Sequence, residues 1–303
     1  MPNFVVVGAA KSGTTALHQY LSQHPDIYLP ERQEPNFFAF EGHPPNFRGP
    51  RGTAASVNRI SITSLEDYRA LYRPVASQTA VGDVSPVYLY WPAAAHAIKR
   101  HVPDAKIIVS LRNPADRAYS AYMHARREDK EPLEDFPSAL EAEEQRIRDN
   151  WGFLWRYAEL GRYGSQLPRY YDLFPPGRIK VVLYDELARD PVGVCRQLQR
   201  FLEVDASFTP DVGLRHNVSG LPRSRLMHRL LGRDSTLAAV ARTAAPVLGK
   251  RRLQNAQVRL RNRNLARPQA PRPRPDSLLP DYRADIRRVE ALTGRDLSHW
   301  LAG

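Results

Sequence analysis

The run FVVVGAAKSGTTALHQYL (Phe4–Leu21) joins a short apolar stretch to a loop bounded by Gly8 and Gly13, and the loop to a helical pattern opened by Thr14 and Thr15. A buried strand leading through such a loop into a helix points backbone N–H groups inward, and the helix N-terminus adds about half a positive charge. That is a cradle for a phosphate. Gly8 and Gly13 keep the glycine spacing of G-x-x-x-x-G-K-[ST], yet the residue after Gly13 is Thr14, and the lysine, Lys11, stands mid-loop. No apolar strand ending in a magnesium-binding aspartate is evident either. A machine built on β,γ-phosphates and a metal is therefore disfavoured. A ligand with one 5′-phosphate and a transferable group beyond it fits better.

A second string, KIIVSLRNPADRAYSAY, puts Arg112 at the end of an apolar run and Ser120 on the following helical pattern. The arginine offers a planar fork to a phosphate and the serine one more donor; capping a helix or pairing with an acid is the alternative use of Arg112.

The loop AAKSGTT, then EPNFF, then LRNPADRAYS, in that order, resemble the sulfotransferases that use 3′-phosphoadenosine 5′-phosphosulfate (PAPS). The likeness is to the bacterial branch and to the catalytic domains of heparan sulfate sulfotransferases, and it covers about residues 3–225. The resemblance implies that Lys11 contacts the bridging and sulfuryl oxygens, with Ser12, Gly13, Thr14 and Thr15 as the 5′-phosphosulfate cradle. It implies that Arg112 and Ser120 hold the 3′-phosphate. Two phosphate sites at the carboxyl ends of two strands suit a nucleotide phosphorylated at both ends. The segment LPERQEPNFFAF resembles the Glu-x-x-Phe-Phe element whose glutamate is the base, which implies Glu34, with Phe37 and Phe38 as packing residues; Glu31, His43 and Asp83 follow as alternative bases. GDVSPVYLY resembles an element with an acid, often a lysine, and Ser/Thr-Pro. Asp83 fits the acid, as a partner of the base, an acceptor contact or a structural residue. Val84 stands where the heparan sulfate enzymes carry lysine, which argues against a polyanionic glycan acceptor. GRYGSQL implies Tyr163 near the nucleotide, and RHNVSGLPRSR implies Gly220 and Arg223 in a loop closing over PAPS. The implied activity is transfer of a sulfuryl group from PAPS, as donor cosubstrate, to an acceptor hydroxyl of a carbohydrate, lipid or small natural product. Adenosine 3′,5′-bisphosphate leaves, and no metal is needed because the donor is already activated.

Positioning these residues requires a sheet. FVVV (Phe4–Val7), KIIVSL (Lys106–Leu111) and IKVVLY (Ile179–Tyr184) are mostly continuous apolar runs, with TAVGDV (Thr79–Val84) as a weaker fourth. Such runs suit strands buried on both faces of a parallel sheet. The three strong runs precede helical patterns at Thr14–Gln23, Pro114–Arg127 and Asp190–Leu202, the last two entered through Asn-Pro and Asp-Pro. The alternation predicts an α/β, three-layer, P-loop-like fold with a central, mainly parallel sheet flanked by helices. Further helices are expected over Ser138–Arg148, over Trp155–Leu173 with interruptions at Gly161 and Gly164, over Arg223–Leu265, and over Tyr282–Leu292 packing back on the body. Leu29–Arg51, with five prolines and two glycines, reads as loop.

With 303 residues, 42% apolar and 25% charged, the composition excludes a wholly disordered, collagen-like or coiled-coil chain. A single sulfotransferase domain over 1–303 is expected. No apolar run approaches the ~18–20 residues of a membrane span, no secretory leader pattern is present, and one cysteine, Cys195, allows no intrachain disulfide. A reducing cytoplasm is the expected compartment. The net charge of +12 is local: Arg215–Arg274 holds 14 Arg and Lys250 against Asp234 alone, so it carries +14 and the rest of the chain −2. The strongly basic, mostly helical segment 215–275 reads as an acceptor lid, a surface-binding element or a solvated face, and 226–275 is a candidate for membrane-surface contact; no nucleic-acid partner is expected. Two other readings stand beside the transferase: an atypical P-loop nucleotide kinase, and a basic nucleic-acid or membrane-surface binder.

Overall fold

In the computed structural model, residues 1–50, 55–213, 221–222, 265–266 and 279–301 are described. Strands β1 (Phe4–Gly8), β2 (Ile27–Tyr28), β3 (Ala80–Val84), β4 (Lys106–Leu111) and β5 (Ile179–Leu183) form one sheet in the order β2-β3-β1-β4-β5. Every pairing is parallel. Side chains alternate across each strand, and both faces are buried. Phe4 and Val6 join Val84, Ile108 and Val182 in one apolar cluster, while Val5 and Val7 join Val81, Ile107 and Val181 in the other. This double burial is why the strands read as continuous apolar runs.

The first cluster is covered by α1 (Thr14–Leu21) and, after β5, by α11 (Tyr184–Arg189) and α12 (Pro191–Leu202), through Leu17, Leu21, Leu187, Val194 and Leu198. The second is covered by α2 (Phe37–Phe40), α5 (Pro92–His101), α6 (Pro114–Arg127), α9 (Tyr163–Gln166), α10 (Pro168–Leu173) and the helix Leu279–Thr293, here α13. Four short helices complete this side before α9: α3 (Ala55–Ile60) and α4 (Leu65–Ala70) lie between α2 and β3, and α7 (Phe136–Glu141) and α8 (Glu143–Arg148) follow α6. The result is the expected three-layer fold.

The chain leaves β1 toward the β2 side and leaves β4 toward β5. The carboxyl ends of these two neighbouring strands therefore open a crevice at the point where the strand order reverses, the place where α/β sheets receive ligands. α6 starts where the Asn-Pro entry predicts, because the Asn113 side chain accepts from the amides of Ala115 (3.0 Å) and Asp116 (3.3 Å).

Three local expectations change. Ser138–Arg148 begins instead at Phe136, because Asp135 rather than Ser138 supplies the cap (2.8 Å to the Ser138 amide), and it breaks at Ala142. Trp155–Leu173 is short pieces. Cβ atoms at Gly161 and Gly164 would stand 2.8 Å from the Tyr282 hydroxyl and from the Asp285 carbonyl oxygen, so these glycines admit α13 rather than continue a helix. Leu29–Arg51 holds the short helix α2, and β2 is too brief to show a pattern. The helix expected over Arg223–Leu265 lies almost wholly outside the described residues. Among the described residues no helix is long and apolar enough to cross a membrane.

Candidate functional site

The loop between β1 and α1 curls around Ser12. Lys11 and Gly13 both take left-handed φ values, 70° and 89°. Gly13 is the N-cap, α1 has no side-chain cap, and its first turn contains no acid. Helix geometry leaves the first-turn amides without intrahelical acceptors. Gly13 must be glycine for a second reason: a Cβ there would lie 2.9 Å from Leu187 Cδ2 and 3.1 Å from Tyr184 Cδ2. The loop is tied to β4 from beneath, where the Ser110 hydroxyl donates to the Ser12 carbonyl (2.6 Å) and the Ala9 amide to the Ser110 carbonyl (2.7 Å).

Arg112 follows β4 directly. Its guanidinium lies 4.5 Å over the Tyr184 ring and donates through Nη1 to the Lys11 carbonyl at 3.4 Å. The buried Tyr163 hydroxyl donates to the Arg112 carbonyl (3.1 Å) and faces the Ser12 hydroxyl. Burial raises the Tyr163 pKa, so the phenol stays protonated. Ser120 is half-buried on α6. Spacing of i, i+4 and i+7 puts Ser120, His124 and Arg127 on one helix face.

The charges at this crevice converge on Lys11. Burial first, and then the guanidinium groups of Arg127 and Arg112, push the Lys11 ammonium down to about 7 against opposition from Glu34 and Glu128. The cations outweigh the anions, so the site has a deficit of negative charge that a phosphate or sulfate group would fill. Arg127 is held by the Glu128 carboxylate (3.0 Å) and His124 Nδ1 (2.9 Å). Glu34 is half-buried at φ 54° in the loop before α2.

The structure thus gathers Lys11, Ser12, Gly13, Arg112, Tyr163 and Glu34 around one crevice, with Thr14 and Thr15 opening α1 at its edge. Gly220 and Arg223 lie outside the described residues. Glu31 and His43 are exposed, and His43 Nδ1 bonds the Glu41 carbonyl (2.9 Å). Asp83 is wholly buried. Sequence reasoning passed over Arg127, Glu128, Tyr184 and Ser110. The helical spacing from Ser120 could have found Arg127; nothing local marks the other three.

The family model described as the sulfotransferase family matches residues 2–210. The chain belongs to the sulfotransferase family. This sulfotransferase is 30% identical over 209 residues to the human bifunctional heparan sulfate N-deacetylase/N-sulfotransferase 3, covering 67% of its own length and 22% of the relative's. It is 27% identical over 230 residues to the mouse heparan sulfate glucosamine 3-O-sulfotransferase 3B1, covering 73% of its own length and 51% of that protein's. The chain therefore spans about a fifth and about half of these two relatives. Among solved structures it is similar to a sulfotransferase from Alicyclobacillus acidocaldarius, with 36% identity and a TM-score of 0.74 over 99% of this chain and 98% of that one. The resemblance carried by the loop, EPNFF and LRNPADRAYS therefore identifies the family correctly.

Proposed function

We propose that this sulfotransferase moves the sulfuryl group of PAPS to an acceptor hydroxyl and releases adenosine 3′,5′-bisphosphate. The observation that carries the reading is the convergence of Lys11, Arg112 and Arg127 beside a carboxylate, Glu34, at the head of an uncapped helix. The donor set is cationic and the cradle is backbone, which fits a nucleotide with anionic groups at both ends. When bound, PAPS supplies an activated sulfuryl group. Lys11, Ser12, Gly13, Thr14 and Thr15 hold its 5′ end; Arg112 and Ser120, with Tyr163 bracing Arg112, hold the 3′-phosphate. Gly220 and Arg223 close over the nucleotide.

For the chemistry, Glu34 accepts the acceptor's proton and the Lys11 ammonium stabilises negative charge developing at the phosphate side. The named relatives act on heparan sulfate; for this chain the acceptor class is a carbohydrate, lipid or small natural product, with Val84 favouring one of lower charge than a polyanionic glycan. The basic segment 215–275 belongs to the same domain and serves as acceptor lid or surface element. The test is transfer of label from PAPS to a panel of these acceptor classes, alongside melting with adenosine 3′,5′-bisphosphate or with ATP and magnesium. The bisphosphate is expected to raise the melting temperature more, since a ligand specific to the folded state stabilises it. Equal shifts from the two nucleotides, with no acceptor labelled, would overturn the reading.

A further inference from the structure

Asp83 lies near the carboxyl end of β3, opposite Val5 of β1, and is completely shielded from solvent. Three hydroxyls surround its carboxylate: Tyr68 and Tyr88 donate to Oδ2 at 2.7 and 2.8 Å, and Ser85 donates to Oδ1 at 2.7 Å. Tyr68 accepts in turn from the Tyr72 hydroxyl (3.1 Å), and the other two carry the network to the loop before α2 and its first turn. Ser85 Oγ accepts from the Asn36 amide (3.2 Å), and the Tyr88 hydroxyl accepts from the Phe38 amide (3.3 Å). Those amides lie two and four residues beyond Glu34.

The direction of every bond in this chain follows from the carboxylate. Burial raises the Asp83 pKa and the three hydroxyl donors oppose that rise; ionised, the carboxylate only accepts, so each hydroxyl spends its one proton on Asp83, and Ser85 and Tyr88 turn lone pairs to the amides. The segment it grips needs such restraint. Glu34 and Asn36 both hold left-handed backbone angles (φ 54° and 56°), which non-glycine residues adopt rarely and only when their surroundings impose them. The Ile62 amide adds a bond to the Pro35 carbonyl (2.8 Å). Phe37 is pinned by stacking on Tyr68, with centroids 4.3 Å apart and planes 14° from parallel. Tyr68 is also an Asp83 donor, so one carboxylate orders both the backbone and the aromatic anchor that follow Glu34.

We propose that Asp83 is a positioning residue for Glu34, acting through Ser85 and Tyr88 to set the backbone that aims the Glu34 carboxylate at the acceptor. The inference rests on the reading of Glu34 as the base. Asp83 itself is fully buried and acts through its hydroxyl partners.

The experiment is a cycle of Asp83→Asn and Glu34→Gln, with kcat, acceptor KM and bisphosphate affinity measured for each variant. Asparagine keeps the shape, but its NH₂ can donate to a hydroxyl and reverse a bond. Misplacing a reacting group by about 1 Å costs on the order of 10²-fold, so kcat of Asp83→Asn is expected to fall toward that extent while bisphosphate affinity is unchanged. In the Glu34→Gln background, Asp83→Asn is expected to add almost nothing. Ser85→Ala is the milder partner variant should Asp83→Asn fold poorly; it is expected to lose rate, and Ser85→Thr, which keeps the hydroxyl, to recover it. Full multiplication of the Asp83→Asn and Glu34→Gln losses would overturn the positioning role alone. Full activity of Glu34→Gln would overturn the base reading and this inference with it.

Discussion

Arg112 reaches from the end of β4 to the backbone of Lys11, its Nη1 donating to the Lys11 carbonyl at 3.4 Å while its guanidinium face lies on Tyr184. The two phosphate-binding elements read from the sequence are thus one mechanical unit. Tyr184 also fills the space behind Gly13, so a single ring braces the arginine and the loop.

Replacing Arg112 tests this unit. Arg112→Ala removes a charge-assisted contact worth ~1.5–3 kcal/mol. Calorimetric affinity for adenosine 3′,5′-bisphosphate is expected to fall roughly 10- to 150-fold on that basis. Arg112→Lys is expected to recover little, because an ammonium neither forks to a phosphate nor stacks on Tyr184 as a planar guanidinium does.

The proposed contact of Lys11 with the nucleotide would link binding to protons. With its pKa pushed down to about 7, Lys11 is only partly charged near neutrality in the free protein. An anion placed beside it favours the ammonium, so the bound-state pKa is higher than the free one and binding takes up protons. Bisphosphate affinity is then expected to weaken as pH rises through about 7 toward 9. Titration calorimetry in two buffers of different ionisation enthalpy measures the uptake. Lys11→Arg, which stays charged throughout, should abolish it; equal heats for the wild-type protein in both buffers would count against the linkage.

Gly13→Ala is expected to damage both stability and binding. Alanine must adopt φ 89° and push against Leu187 and Tyr184. Backbone strain of this kind costs ~1–3 kcal/mol. Urea unfolding should show a loss of at least that size, with bisphosphate no longer raising the melting temperature. An unaltered unfolding midpoint would show that the loop relaxes freely.

Glu34→Gln separates chemistry from binding. A general base contributes about 10²–10⁴-fold, and turnover is expected to fall within that range. Bisphosphate affinity should stay near the wild-type value, because the proposed nucleotide contacts lie in the loop between β1 and α1, on α1, just after β4 and on α6. A large loss of affinity would place Glu34 among the donor contacts instead.

The outline of this protein was legible in the chain because its signals are local. Continuous apolar runs marked strands buried on both faces, Asn113-Pro114 marked a helix entry, and Gly8 and Gly13 marked the loop between the first strand and its helix. Other features depend on segments far apart in sequence. Gly161 and Gly164 break a helical pattern because Tyr282 and Asp285 come to lie against them. Asp83 became an interior anchor because Tyr68, Ser85 and Tyr88 close around it and exclude water. The charge balance at Lys11 needed the β1 loop, the end of β4, the end of α6 and the loop before α2 to meet. Periodicity and capping depend on neighbours within a few residues. Burial and electrostatics depend on whatever the fold brings within reach, and only the tertiary structure decides that.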